Sequence, residues 1–108
     1  MIFRVAVTPT AERQFDRVES WWRKHRDKNP EVFVDEFARA AEFLRADPDG
    51  GFLIKSRVGE HFRRVILARC GYHVYYWHEP GTPTLWVTTF WGARKKRGPS
   101  LSLREVRR

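Results

Sequence analysis

Apolar and polar residues follow a short period-two run at the start of the chain, then two stretches of helical period. Ile2 to Val7 places Phe3, Val5 and Val7 on one side, with Arg4 interrupting the other, which is the pattern of a half-buried strand. Thr8 followed by Pro9 predicts a helix start: a hydroxyl N-cap, then proline at a position whose N–H has no helical partner anyway. Behind it Ala11, Phe15, Val18 and Trp22 form one stripe, widened by Trp21, of a helix running to about Lys28. The cations Arg23, Lys24, Arg26 and Lys28 fall in its last turns, where they complement the helix dipole. Asn29-Pro30 repeats the start signal. A second helix with the stripe Phe33, Phe37, Ala40, Ala41 and Leu44 is expected to follow and to stop before Asp47-Pro48-Asp49-Gly50-Gly51. So short a joint predicts an antiparallel pair of helices.

The second half changes period. Gly51 to Glu60 reads as a loop, with a short extended piece at Phe52 to Ile54. Phe62 to Arg69 and Tyr72 to Trp77 are runs of strand formers joined by Cys70-Gly71, where glycine supplies a positive φ for a two-residue turn. After a turn at Glu79 to Pro83, Leu85 to Trp91 is a third such run. The order β-α-α-β-β-β gives an α+β fold, a helical hairpin packed on one face of a curved, mainly antiparallel sheet. In that register Leu67 opposes Val74 and Val65 opposes Tyr76 on the helix side. The other face pairs Ala68 with His73, Ile66 with Tyr75 and Arg64 with Trp77. Left bare, such a face is either a platform for a single-stranded base and its phosphate or the core of a protein interface.

Composition narrows the setting. In 108 residues, 42% hydrophobic and 15% aromatic, there is material for one well-packed domain, and a disordered chain is excluded. The single cysteine, Cys70, excludes an internal disulfide and points to a reducing compartment. No apolar run reaches membrane-spanning length, and the stretch before Thr8 is too short for a secretory signal, so a soluble cytoplasmic protein is expected, with no membrane partner.

The charge is +8, of which the tail from Gly92 onward carries +6 through Arg94, Lys95, Lys96, Arg97, Arg104, Arg107 and Arg108 against Glu105. Residues 1–91 therefore read as the domain and 92–108 as a basic tail. The tail suits a polyanionic partner such as nucleic acid or a ribosome, or an acidic protein; it is equally suited to keeping the chain in solution. With little apolar content, the part beyond Arg94 is expected to be dispensable for folding. Cys70, His73 and His78 do not make a metal site, because residues five apart on a strand point to opposite faces, and no cofactor is expected. His61, beside Arg63 and Arg64, is a catalytic group, a phosphate contact or a solvated side chain. The chain has neither a glycine-rich phosphate loop nor a nucleophile triad pattern.

Three stretches resemble the RelE/ParE superfamily of type II toxin–antitoxin toxins. They are Thr8-Pro9-Thr10-Ala11 through Phe15, Gly59-Glu60-His61-Phe62-Arg63-Arg64-Val65 with Gly71-Tyr72-His73-Val74-Tyr75-Tyr76, and Phe90-Trp91-Gly92-Ala93-Arg94 followed by Arg97-Gly98-Pro99. The resemblance implies a growth-arresting toxin neutralised by a cognate antitoxin. In RelE-like members, which cleave mRNA on the ribosome, the matching positions are Arg64 as a strand cation, Arg94 as the C-terminal arginine, and His73 in place of an arginine, as base or acid. Ile66 stands where those members have lysine, and no tyrosine or histidine follows Arg94. The sequence is therefore closer to ParE-like members, which inhibit DNA gyrase without doing chemistry. On that reading Arg94, Lys95, Lys96 and Arg97, with Tyr75 and Trp77, are the expected contacts to the target or its nucleic acid. Ile66, Tyr75 and Trp77 are the expected antitoxin interface.

Overall fold

A computed structural model describes residues 2–55 and 61–106. The end of the expected loop and the residues Gly59 and Glu60 of the second family-like stretch lie outside the described residues, as do Arg107 and Arg108 of the tail. Seven elements follow one another: β1 (Arg4–Val7), α1 (Pro9–His25), α2 (Val32–Ala46), β2 (Phe52–Lys55), β3 (His61–Leu67), β4 (Tyr72–His78) and β5 (Thr84–Gly92). The strands form one open sheet in the order β1-β5-β4-β3-β2, with β1 parallel to β5 and the other pairs antiparallel. The fold is α+β, two helices and a five-stranded mixed sheet. The expected order is one strand short: the extended piece after the second helix is a true strand, paired from Phe52↔Arg64 to Lys55↔His61.

Local chemistry explains the helix boundaries. Thr8 is extended (φ −70°, ψ 158°), and its Oγ1 accepts the Ala11 N–H at 3.3 Å. The helix closes with the Arg26 N–H on the Trp22 carbonyl, 2.9 Å. The second start signal is displaced. Asn29 donates its N–H to the Arg26 carbonyl at 3.0 Å and so belongs to the connecting turn; α2 begins at Val32, and Glu31 caps it without a side-chain bond. The connection absorbs the Asn-Pro pair because the chain needs those residues to reverse.

Both helices pack on the same side of the sheet. Ala11, Val18, Phe33 and Leu44 share a core with Leu67, Val74, Tyr76, Leu85, Val87 and Phe90, and Phe15 sits 4.9 Å from Phe33 and 5.6 Å from Phe90, ring to ring. Tyr76 anchors the turn after α2: its hydroxyl donates to the Pro48 carbonyl (2.8 Å) and accepts the Gly51 N–H (3.0 Å). Gly51 must be glycine for that approach, since a Cβ there would lie 2.7 Å from the Tyr76 hydroxyl and 2.9 Å from the Arg64 carbonyl.

The β3–β4 hairpin departs from expectation by two residues. Leu67 pairs with Tyr72, Ile66 with His73, Val65 with Val74 and Arg64 with Tyr75. The turn therefore spans Ala68 to Gly71, closed by the Gly71 N–H on the Leu67 carbonyl (2.8 Å), with Gly71 at φ +74°. A slip of two preserves the facing of every side chain, whereas a slip of one would have inverted it. His73, Tyr75 and Trp77 thus lie on the face away from the helices, as the sequence predicts.

Candidate functional site

That outer face is not bare. A second core joins Phe62, Trp77 and Leu103, with Ile54, Trp86, Leu101 and Val106 packed on it. Leu101, Leu103 and Val106 come from the tail, which folds back across the sheet. Glu105 fastens it, with Oε1 accepting the Thr10 N–H and Oε2 the Thr10 hydroxyl, both at 3.0 Å, at the start of α1. Trp77 and Tyr75 are 5% and 4% exposed, which corrects the expectation of an aromatic platform. The segment beyond Arg94 is likewise part of the packed structure. The missed signal was the Leu101-x-Leu103 spacing, too brief to register as a strand or helix.

Of the residues proposed for chemistry, His73 and Arg64 share the outer face on neighbouring strands. Burial lowers the His73 pKa below its ordinary 6.5, and the Arg64 charge lowers it further, so the imidazole is neutral at neutral pH. The Arg64 Nε is buried without a hydrogen-bond partner among the described residues. Arg94 is elsewhere. It is exposed, in the turn after β5, and lines a cleft that His73 does not. Ile66 is half-exposed (49%) and lines a groove between α2 and the sheet margin with Phe43 and Phe52. Lys95, Lys96 and Arg97 are exposed. His61 is exposed at the start of β3. His78 bonds through Nε2 to the Thr82 carbonyl at 2.8 Å, and its ring meets Phe3 edge-on. Among the described residues no group of histidine, cysteine and acidic side chains is arranged to hold a metal.

A group of cations with no acid among them lies at the hairpin tip. A cleft of about 550 Å³ opens between the C-terminal end of α1, the Ala68–Gly71 turn and the residues after β5. Arg26, Arg69, Arg94 and Lys95 line it together with Trp21, Trp22 and Tyr72. Its walls are tied together by hydrogen bonds to backbone groups. Glu36 of α2 accepts the N–H groups of Arg69 and Cys70, both at 3.0 Å, and the Ala93 N–H reaches the Gly71 carbonyl at 2.8 Å. Cys70, also in the lining, is held as the neutral thiol: burial and its hydrogen bond to Glu36 push its pKa up to about 12. The sequence assigns Arg26 only a helix-dipole role and does not mark Arg69, because a helix terminus and a turn account for them locally.

Comparison with protein-family models yields no match, and none of the curated proteins matches the chain. Among the described residues no helix is long and apolar enough to cross a membrane.

Proposed function

We propose that the protein is a toxin of the RelE/ParE type, held inactive by an antitoxin, and that it arrests growth by binding DNA gyrase without catalysing a reaction. The element order and the Gly71-Tyr72-His73-Val74-Tyr75-Tyr76 run along β4 support the family reading. The observation that carries the mechanism is the separation of the candidate catalytic groups. RNA cleavage by a ribose 2′-OH needs a base, a cation and an acid converging on one phosphate. Here His73 and Arg64 sit on the outer face, while Arg94 lines a different surface at the hairpin tip. An array of cations without a gathered reaction centre suits a binding protein. Ile66, with Phe43 and Phe52 around the groove beside α2, is the apolar contact offered to an antitoxin, and an acidic antitoxin would offset the +8 charge.

A second reading, ribosome-dependent mRNA cleavage, is favoured by one feature: a neutral His73 beside Arg64 is able to accept a proton. Inducing the protein in cells, and following gyrase–DNA covalent complexes and ribosome-position mRNA cuts in the same samples, separates the two. Gyrase complexes and the DNA-damage response should rise before translation falls, and His73→Ala should keep its toxicity. If mRNA cuts came first and vanished in His73→Ala, the protein would be an endoribonuclease.

A further inference from the structure

We infer that the hairpin-tip cleft is a binding site for the phosphodiester backbone of a single-stranded nucleic acid. A carboxylate that positions an arginine also cancels its charge, whereas an indole positions it and leaves the charge intact. Two of the cations that line this cleft, Arg26 and Lys95, lie against indoles. The Arg26 guanidinium lies 5.2 Å from the Trp21 ring centre and 5.9 Å from that of Trp22, and the Lys95 Nζ lies 4.1 Å from the Trp91 ring centre. Neither Arg26, Arg69, Arg94 nor Lys95 forms an ion pair among the described residues, and no acidic side chain lines the cavity. The acid that reaches the turn, Glu36 of α2, has its oxygens on two backbone N–H groups.

The frame is fixed as well as the charges. The turn bearing Arg94 and Lys95 is clamped to the hairpin by the Ala93–Gly71 bond, and the Trp91 Nε1–H donates to the Arg97 carbonyl at 2.7 Å, which holds the basic run against the sheet end. Prepositioned cations lose little side-chain freedom when an anion arrives, so more of the attraction appears as affinity. The lining selects among polyanions. Trp21, 44% exposed, with Trp22 and Tyr72 sets aromatic faces beside the cations, surfaces on which unpaired bases stack and which the paired bases of a duplex do not use. Lys96 and Arg97, exposed just beyond the cavity, extend the path of positive charge along a chain of phosphates. This inference stands apart from the gyrase reading: a protein that binds strands but leaves gyrase untouched would keep the first and lose the second.

The test is fluorescence anisotropy of a labelled single-stranded oligonucleotide of mixed sequence, titrated with the full chain across a range of salt. Wild type is compared with the double variant Arg26→Gln/Arg94→Gln and with Arg17→Gln/Lys55→Gln, which removes the same charge from exposed positions that do not line the cleft. The cleft variant should bind about tenfold more weakly, and its salt slope should shrink by about 1.4, the share of two single-strand phosphate contacts. The control should stay close to wild type, with thermal unfolding unchanged in both. Equal losses in the two variants would reduce the effect to net charge and overturn the assignment. So would tighter binding of the matching duplex, stronger binding of a polyglutamate peptide, or no binding of the strand by wild type.

Discussion

The phenol of Tyr76 shows how much a single side chain secures. Its ring is fully buried in the helix-side core, while its hydroxyl joins the Pro48 carbonyl to the Gly51 N–H. Burial raises its pKa above the usual 10, so the neutral phenol is the form the fold requires. Tyr76→Phe preserves the ring and orphans both partners, and should lower stability by about 1–2 kcal/mol in urea unfolding. At the same scale, alternation places His73, Tyr75 and Trp77 on the correct face, because strand parity depends on nothing else, but their exposure depends on what covers that face, which alternation does not encode.

Elements meet at two places that local pattern describes poorly. One is the β3–β4 turn, four residues long where the glycine alone indicated two; positive φ at Gly71 is compatible with both lengths. The other is the tail. Leu103 is 7% exposed and fills the outer core beside Phe62 and Trp77, so Leu103→Ala should cost about 2–4 kcal/mol on thermal or chemical unfolding. Glu105 adds a pH-dependent fastening. The Thr10 N–H, the largest influence on it, lowers its pKa below the ordinary 4.5, so its stabilisation is complete at neutral pH and above about 4.5. That contribution is lost as pH falls through the depressed folded value. Glu105→Gln should therefore flatten the acid limb of a stability-versus-pH curve relative to wild type, while leaving its alkaline limb unchanged.

Across the whole molecule, the strand–helix–helix–strand order and the two-sided sheet were legible because each rests on long periodic stretches. The cationic cleft was not, because Arg26, Arg69 and Arg94 are distant in sequence and meet only once the hairpin tip lies beside the end of α1. The β1–β5 pairing was equally hidden, since period-two alternation fixes no partner. That pairing bears on how the protein is made. Thr8 bonds to Thr88, eighty positions along the chain, and among the described residues β1 has its only sheet neighbour in β5. During synthesis β1 must wait, unpaired, until β5 has left the ribosome. β5 then receives β1, and the residues after it seal the opposite side. A nascent chain halted before residue 84 would have the helices but no place to dock its first strand.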